Sequence, residues 1–416
     1  MRPKHKIRPT MKIAVVADDL TSATDGGIAF AQAGHPTTVA LSLEHLGAAS
    51  RWDVVSIDAD SRIRSHDEAI RRVHDAVFRL RDRDLLYKTV DSTIRGHLAG
   101  ELGAALRASG RHAAIFAPAF PEAGRITRGG RQLLDGVGIS ATAFANDPLH
   151  PVQTDDIASI LSAAGGSIAV LDRASAGRRD VLESALRNHS ILVVDAETPS
   201  DLRTMVRAVP EPTDLVWIGS PGLARALAEA FPGHTSPPRR PRSRRVLVAI
   251  GSVNPVSREQ LEHLRPHADL VVEVDAMKAA AAPEEAAREA VASLGPSSSM
   301  QTVVVTSTLG EIRVGREKAS LVAESIAAAV RILHAQAPYD GFVLTGGDTA
   351  IKVARALDAT GIVLESELSP GIPIGAFVGR NPARVITKAG GFGDGASLTD
   401  AWRHLTMNAT SKESAA

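Results

Sequence analysis

Short aliphatic runs that alternate with Ala/Leu/Arg-rich stretches constrain the fold of this chain more than any other feature. The first run, Ile13 to Ala17, stops at two adjacent carboxylates, Asp18 and Asp19. This pattern is typical of a buried parallel strand that leads into a strand-to-helix loop. Similar runs recur at 37–41, 53–57, 85–88, 113–117, 168–171, 191–195 and 215–218. Because helical stretches fit between them, the sequence predicts an α/β protein with mostly parallel sheets flanked by helices.

The chain length and one unusual segment predict two domains. A chain of 416 residues exceeds what one ordinary core accommodates. Residues 231–245, FPGHTSPPRRPRSRR, are rich in proline and arginine and lack apolar periodicity, as expected of a linker. We therefore predict an N-terminal domain over 11–230, this linker, and a C-terminal domain over 246–408. Residues 1–10 and 409–416 are expected to be disordered tails, with Met11 as an alternative start.

Composition excludes several classes of partner. Lys plus Arg and Asp plus Glu each total 47, so no net field attracts nucleic acid or anionic lipid. The absence of cysteine rules out disulfides and thiolate metal sites and fits a reducing cytoplasm. No apolar run approaches the roughly 20 residues needed to cross a bilayer. We expect a cytoplasmic protein without nucleic-acid or membrane partners.

The carboxylates that end the first strand have two interpretations. The carboxyl end of a parallel strand is where ligands bind in open α/β sheets. Neighbouring carboxylates at this position suit cation binding or proton abstraction from a hydroxyl. Alternatively, Asp18 or Asp19 caps the following helix. Position alone leaves both interpretations open.

A second polar cluster lies in LLYKTVDSTIRGHLAGEL (85–102). Lys88 lies on the predicted strand, Asp91-Ser92-Thr93 end it, and Arg95 precedes a helix. Asp60, Ser61 and Arg62 follow another strand. Cations and hydroxyls at strand ends suit a small carboxylate or polyol, since arginine can hold a carboxylate bidentately. The alternative is that these residues form ordinary ion pairs and a helix cap.

Three glycine-containing loops mark the second half of the chain. They lie in VLVAIGSVNPVSREQL, FVLTGGDTAIKVARAL and RVITKAGGFGDGASL. Glycine lets the backbone approach a ligand closely, and free N–H groups at a helix start attract phosphate. If the three strands are parallel neighbours, their loops meet at one sheet edge and could cradle a nucleotide. A single Gly-Gly turn is more often structural.

Several well-known catalytic patterns are absent. There is no G-x-x-x-x-G-K-[ST], and the opening strand lacks G-x-G-x-x-G. H-E-x-x-H and G-x-S-x-G do not occur either, which argues against zinc proteases and nucleophile-elbow hydrolases.

Six segments, in order, resemble those of the four-carbon acid sugar kinases. They are VVADDLTSATD, KTVDSTIRGH, GSPGLARAL, GSVNP, LTGGDTA and KAGGFGD. The resemblance covers about residues 11–400. Ser22 stands where glycine is usual in the family, and Val253-Asn254 replaces a smaller or Cys/Ser-containing pair. Neither departure removes a polar group with a predicted chemical role.

The resemblance implies an ATP-dependent kinase that phosphorylates the terminal (C4) hydroxyl of a sugar acid such as threonate, erythronate or 3-oxo-tetronate. It implies a sugar-acid-binding N-terminal domain, an ATP-binding C-terminal domain and an active site in the cleft between them. Candidates for the sugar-acid site are Asp18, Asp19, Arg62, Lys88, Asp91, Ser92, Thr93 and Arg95. Candidates for the ATP site are Ser252, Gly346, Gly347, Asp348, Thr349, Gly390 and Gly391.

Roles within this implied site follow the logic of phosphoryl transfer, which depends mostly on positioning and charge neutralisation. We expect Asp19 to act as the base, with Asp18 and Asp91 as rivals. Arg62 and Arg95 are expected to hold the substrate carboxylate, and Asp348 to help position Mg²⁺.

Two alternatives stay open: a nicotinamide-dependent hydroxy-acid dehydrogenase and a non-catalytic sugar-acid sensor. The first lacks its dinucleotide fingerprint, and the second lacks a basic helix or other partner module. The oligomeric state is open, with a homodimer as the expectation because metabolic α/β enzymes are often dimers.

Overall fold

The structure, a computed structural model, describes residues 11–147, 150–236, 240–252, 254–292, 294, 300–308 and 316–407. The chain forms two compact units that divide after Ser236, within the segment predicted as a linker. The predicted tails, 1–10 and 409–416, lie outside the described residues.

The first unit contains most of the predicted strands and helices. Its strands are β1 (Ile13–Ala17), β2 (Thr37–Ala40), β3 (Val54–Asp58), β4 (Leu85–Thr89), β5 (Ala113–Ala117), β6 (Arg125–Arg128), β7 (Arg131–Leu134), β8 (Val137–Gly138), β9 (Ile168–Leu171), β10 (Ile191–Val194) and β11 (Leu215–Gly219). Its helices are α1 (Leu20–Gln32), α2 (Leu46–Ala49), α3 (His66–Leu80), α4 (Leu98–Ser109), α5 (Ile157–Leu161), α6 (Arg173–Ala176), α7 (Arg179–Asn188), α8 (Pro199–Ala208) and α9 (Pro221–Ala230).

The main sheet of this unit is parallel, in the order β2-β3-β1-β4-β11-β5-β10-β9. The central strand β1 is buried on both faces because its side chains are aliphatic on both. Ala14 and Val16 pack into a core shared with α3 and α4, whereas Ile13 and Val15 pack into a core shared with α1 and α9. Helices therefore cover both faces, as expected for near-continuous apolar strands.

The second unit contains β12 (Val246–Ile250), β13 (Leu270–Val274), β14 (Thr302–Ser307), β15 (Gly341–Thr345), β16 (Ala359–Glu367), β17 (Pro373–Gly379) and β18 (Arg384–Lys388). Its helices are α10 (Pro255–Leu264), α11 (Ala276–Ala279), α12 (Pro283–Ala292), α13 (Arg316–Gln336), α14 (Gly347–Ala356) and α15 (Ser397–Thr406). Strands β13-β14-β12-β15-β18 are parallel, and β17 and β16 continue the sheet in antiparallel fashion. The predicted α/β class, with two mostly parallel sheets flanked by helices, is confirmed.

A three-stranded antiparallel sheet, β6-β7-β8, interrupts the alternation in the first unit and was not predicted. Gly129 and Gly130 form its tight turn, with φ of 58° and 70°. Positive φ at both central residues is the requirement of a type I′ hairpin turn. The sequence signal was present: a Gly-Gly pair between Arg128 and Arg131.

The described parts of the predicted linker are bonded to the units on either side. The Thr235 amide donates to the Gly34 carbonyl at 2.9 Å, within the first unit. The Arg245 amide donates to Asp340 Oδ1 at 2.9 Å, within the second.

Of the helices in the described ranges, none is long and apolar enough to cross a membrane.

Candidate active site

Three loops of the first unit meet at one edge of its sheet. Strands β3, β1 and β4 are adjacent and parallel, so the loops that follow them leave from the same side. These loops carry Asp60 to Arg62, Asp18 and Asp19, and Asp91 to Arg95. We call this cluster the acid edge. The structure thus brings together residues from three segments that are far apart in the sequence.

Arg62 joins the two carboxylates that end β1. Its Nε donates to Asp18 Oδ2 at 2.7 Å and its Nη2 to Asp18 Oδ1 at 3.0 Å, a bidentate pair. Its Nη1 forms an ion pair with Asp19 Oδ2. Nη2 also donates to the Ser22 hydroxyl at 2.8 Å, at the position where the family usually has glycine. One guanidinium therefore holds both acids in place.

Asp19 is also the N-cap of α1. Its Oδ1 accepts a hydrogen bond from the Ser22 amide at 2.7 Å, and its φ and ψ are extended, as is usual for a capping residue. The two interpretations of this residue are compatible, since one carboxylate oxygen caps the helix while the other faces Arg62.

The environments of the acids separate their pKa values. Burial raises the pKa of Asp18, but Arg62 and Lys88 outweigh burial and lower it to about 2. Burial and the Asp18 charge raise the pKa of Asp19, against the opposing effect of Arg62. The Asp19 side chain is 28% exposed, compared with 5% for Asp18. Asp19 is consequently the more basic and the more accessible of the two carboxylates.

Asp91 is held by the loop that it begins. Arg95 Nε donates to Asp91 Oδ2 at 2.7 Å, and the Thr93 hydroxyl bonds the same oxygen. Although burial raises the pKa of Asp91, the hydrogen bonds from Arg95 and Thr93 and the charges of Arg95 and Arg62 lower it below its usual value. Arg95 Nη1 also donates to Asp147 Oδ2 at 3.0 Å. Like Arg62, Arg95 is paired with two carboxylates.

Lys88 lies beneath this surface. It is 2% exposed, its Nζ lies 2.8 Å from Glu101 Oε2, and Glu101 Oε1 accepts from the Ser61 hydroxyl at 2.6 Å. The predicted contact of Lys88 with substrate stays a prediction, and in this structure the charge of Lys88 lowers the pKa of Asp18. Glu101, on α4, was missed because nothing near it in the sequence marks it as a partner of Lys88.

The loop after β4 is strained. Ile94, between Thr93 and Arg95, has φ of +56° and is buried. A β-branched residue in the left-handed region is uncommon and is retained where the surroundings impose it, often at functional sites. The Ser92 hydroxyl on this loop makes no hydrogen bond with the part of the chain that the structure describes.

The second unit has a corresponding edge. Strands β12, β15 and β18 are parallel neighbours, so the three glycine-containing loops leave from the same side, as the nucleotide prediction required. We call this cluster, residues 251–252, 346–349 and 389–391, the glycine edge.

The glycines of this edge are required by close packing. A Cβ on Gly251 would lie 1.8 Å from Thr349 Oγ1, and one on Gly390 would lie 2.0 Å from Ser252 Oγ. The Ser257 hydroxyl donates to the Gly390 carbonyl at 2.7 Å. Predicted residues Ser252, Thr349 and Gly390 are thus assembled against one another.

Helix α14 begins at this edge without a side-chain cap. Its N-cap is Gly346, at φ of +95°, and Gly347 is its first residue. Uncapped N–H groups at a helix start form an anion site. Asp348 follows, 43% exposed and 3.1 Å from Lys352 Nζ.

Lys388, at the end of β18, was not among the predicted site residues. It is buried, and its Nζ donates to the carbonyls of Ala389 at 3.0 Å and Phe392 at 3.0 Å. Burial lowers the pKa of Lys388 to about 8. The ammonium binds the carbonyl groups of the third loop and places a positive charge next to the loops predicted to bind phosphate.

A cavity of about 470 Å³ adjoins the glycine edge. Its lining combines apolar side chains and hydroxyls with three glutamates, Glu259, Glu262 and Glu273, and one arginine, Arg258. Because three carboxylates outweigh one guanidinium, the lining is acidic, which suits the hydroxyls of a nucleoside better than a triphosphate.

The donor set for a metal is sparse. Within the described ranges, no group of three or more His, Asp or Glu residues is arranged to hold an ion. Asp348 is the single carboxylate among the predicted nucleotide-site residues. This fits Mg²⁺ carried mainly by phosphates, which needs only one or two protein carboxylates.

Comparison with known proteins agrees with this division of the chain. A family model described as a sugar-binding N-terminal domain matches residues 13–227, and one described as a nucleotide-binding C-terminal domain matches residues 247–398. A sugar-binding domain followed by a nucleotide-binding domain defines the class: a two-domain protein that binds a sugar derivative and a nucleotide.

Individual relatives identify the family. A D-threonate kinase from Salmonella typhimurium is 35% identical over 427 residues, covering 95% of this chain and 98% of that protein. A D-erythronate kinase from Heliobacterium modesticaldum is 30% identical over 419 residues, covering 91% and 93%. The chain belongs to the four-carbon acid sugar kinase family, as the six segments predicted, and is a phosphotransferase acting on a sugar acid.

A solved structure shares this fold. A crystal structure from Salmonella typhimurium matches with a TM-score of 0.76 at 22% identity, covering 95% of this chain and 100% of that one. The placement of the active site between the domains stays a prediction.

Proposed function

We propose that this protein transfers the γ-phosphoryl group of ATP to the C4 hydroxyl of a four-carbon sugar acid, with threonate as the first substrate to test. The observation that carries the proposal is that the chain has an acid edge in one unit and a glycine edge in the other. The former offers a basic carboxylate and hydroxyls for a polyol acid. The latter offers backbone N–H groups for phosphates.

The proposed base is Asp19. Both carboxylate oxygens of Asp18 accept hydrogen bonds from Arg62. Asp91 accepts hydrogen bonds from Arg95 and Thr93. Asp19 keeps a raised pKa and the greatest exposure of the three. In the transfer, the C4 oxygen bonds to the γ-phosphorus, the bond to the bridging oxygen breaks, and the hydroxyl proton passes to Asp19.

The remaining residues of the acid edge position Asp19 and the substrate. Arg62 sets the orientation of Asp18 and Asp19. The positive charge of the buried Lys88 stabilises the ionised form of Asp18. Ser92 and Thr93 supply hydroxyls beside the proposed sugar site. In this proposal Arg62 and Arg95 share their donors between protein carboxylates and substrate.

The glycine edge would hold the nucleotide. The N–H groups at the start of α14, including those of Gly347 and Asp348, point toward the proposed phosphate position. Gly390 and Gly391 allow close approach of the third loop, and the adjoining cavity takes the nucleoside. Mg²⁺ bound to the phosphates would neutralise charge developing during transfer, with Asp348 as its protein ligand.

The absence of cysteine supports a cytoplasmic setting, and a homodimer remains the expectation.

The test is a coupled ATP assay against the stereoisomers of threonate, erythronate and 3-oxo-tetronate. We expect one acid to be turned over with ATP and Mg²⁺, yielding a monophosphate whose ³¹P signal couples to the C4 protons. Turnover of none of these acids with ATP would refute the proposal. Reduction of a nicotinamide cofactor with the same acids would instead revive a dehydrogenase.

A further inference from the structure

Arg125 is a partly buried cation without a counter-charge among the residues that the structure describes. Its Nε is buried and has no hydrogen-bond partner. Its Nη1 donates to the Ala123 carbonyl, which is neutral. No described carboxylate lies within ion-pair distance of it. Withdrawing an unpaired cation from water is destabilising, so a residue of this kind needs an explanation.

Arg125 lies at the same sheet edge as the proposed sugar site. It begins β6, and its backbone pairs with Phe120 through bonds of 2.7 and 3.0 Å. Phe120 follows the carboxyl end of β5, which is separated from β4 by β11 alone. The loop after β4 carries Asp91 to Arg95.

The hairpin presents the face bearing Arg125 to that loop. Side chains two residues apart on a strand share a face, so Arg125 and Thr127 point the same way. Thr127 Oγ1 donates to Gln132 Oε1 at 2.8 Å, and Gln132 Nε2 donates to the Ser92 carbonyl at 2.8 Å. Hydrogen bonds through Gln132 therefore connect the hairpin face that carries Thr127 to the loop after β4. Arg128, on the opposite face, is exposed and pairs with Glu197.

The charged side chains of the acid edge and of the turn before β6 already have partners in ion pairs. Arg62 pairs with Asp18 and Asp19, and Arg95 pairs with Asp91 and Asp147. Glu122, in the turn before β6, pairs with Arg225 at 3.5 Å. The other described arginine with a buried, unpartnered Nε is Arg384, which starts β18 at the end opposite the glycine edge.

We propose that Arg125 binds the carboxylate of the sugar acid. This inference rests on the proposed function and refines it, because it moves the main carboxylate contact from Arg62 and Arg95 to an arginine that has no carboxylate partner among the described residues. A guanidinium can bind a carboxylate through two parallel hydrogen bonds. Binding at this position would leave the rest of the acid directed along the β4 loop.

The test compares Arg125→Gln with Arg125→Lys and with Arg128→Gln as the matched control. We expect Arg125→Gln to raise KM for the acid about 10- to 100-fold while KM for ATP is unchanged. Arg125→Lys should retain more affinity for the acid than Arg125→Gln, because lysine keeps the positive charge but lacks the two parallel donors of a guanidinium. Arg128→Gln should leave both KM values unchanged.

Two further readouts separate binding from a structural role. Wild-type enzyme should prefer the acid to the neutral four-carbon polyol, and Arg125→Gln should lose most of that preference. The thermal midpoint of the ligand-free variant should equal or exceed that of wild type, since an unpaired cation has been removed. A lower midpoint with equal rises in both KM values would overturn the inference, as would an unchanged KM for the acid.

The outcomes also separate this inference from the proposed function. If the wild-type enzyme phosphorylates no four-carbon acid, the proposed function fails. If the wild type is active and Arg125→Gln retains its KM and its preference for the acid, only the role of Arg125 fails.

Discussion

The acid edge and the glycine edge occupy equivalent positions in their sheets but are built from different chemistry. At the acid edge, side-chain charges are paired with one another, as in the Asp18–Arg62–Asp19 arrangement. At the glycine edge, side chains are small, and an uncapped helix start presents backbone donors. A stereochemically defined acid demands placed side chains, whereas a phosphate chain can be bound by backbone N–H groups.

This contrast implies different tolerances to change. The acid edge should depend on the identity of charged groups and tolerate small changes in shape. The glycine edge should depend mainly on the absence of side chains, and Asp348 is its one residue whose charge has a proposed role. Three substitutions test the contrast, in order of expected effect.

The largest effect is expected for Asp19→Asn. Asparagine can still cap α1, so the fold should persist, but it cannot accept the hydroxyl proton. We expect kcat to fall about 100- to 10,000-fold with both substrates saturating. Because the pKa of Asp19 is raised, wild-type activity should be present above that pKa and lost as pH falls through it, at a higher pH than for an ordinary carboxyl.

Asp172→Asn is the matched control for this prediction. Asp172 caps α6 through the Ser175 amide at 2.7 Å, and it forms no part of the acid edge. Its substitution should leave kcat unchanged. Near wild-type kcat in Asp19→Asn would exclude Asp19 as the base and return Asp18 and Asp91 to consideration.

An intermediate effect, on stability, is expected for Glu101→Gln. The change leaves Lys88 buried without its counter-charge, and breaking a buried pair in this way costs about 3–5 kcal/mol. The free energy of unfolding of the first unit, followed by circular dichroism in urea, should fall by that amount.

Exposed pairs provide the comparison for Glu101. Arg187 and Glu183 lie 3.0 Å apart on the surface of α7. Glu183→Gln should change the free energy of unfolding by less than about 0.5 kcal/mol. If the two variants lost equal stability, the supporting role of the Lys88–Glu101 pair would be wrong.

The smallest effect is expected for Gly390→Ala. Its new Cβ would lie 2.0 Å from Ser252 Oγ, so the loops must separate. Overpacking typically costs about 1–3 kcal/mol, and we expect nucleotide affinity to fall about 10- to 100-fold. Calorimetric titration with a non-hydrolysable ATP analogue measures this, and affinity for the sugar acid should not change.

Two other glycines calibrate this result. Among the described residues, a Cβ on Gly391 would meet Asn254 Nδ2 at 3.2 Å and Asn254 Cγ at 3.8 Å, and a flexible amide can move away. Gly391→Ala should therefore have a smaller effect than Gly390→Ala. No described atom lies within 4 Å of a new Cβ on Gly47, so Gly47→Ala should leave nucleotide binding unchanged. Equal losses at Gly390 and Gly391 would contradict the packing argument.

The two edges also differed in how far the sequence could predict them. The glycine edge was predictable because each loop follows an aliphatic run directly, and parallel neighbours bring such loops together. The positions of Ser252, Gly346 and Gly390 follow from local pattern alone. Their mutual contacts depend on which strands are adjacent, and β12-β15-β18 adjacency is not encoded locally.

The acid edge was predictable as a set of residues and not as a network. Asp18, Asp19, Arg62 and Asp91 were placed correctly at strand ends. That Arg62 binds Asp18 depends on the pairing of β1 with β3, whose paired residues are 41 positions apart in the sequence, and the sequence offers no sign of this pairing. Lys88 illustrates the limit most clearly, because its ion pair with Glu101 on the next helix, α4, depends on how that helix packs against the sheet.

The shared guanidinium of Arg62 has a consequence for how this family can vary. In the unit of Asp18, Asp19 and Arg62, replacement of either carboxylate leaves Arg62 paired with the other, whereas replacement of Arg62 leaves both carboxylates without their shared partner. Routes between sequences that differ at Arg62 must therefore pass through an impaired single variant or change two residues together. Sequence drift at this edge should be concentrated in the residues around the trio, such as Ser22, where specificity for one four-carbon acid over another can change without dismantling the site.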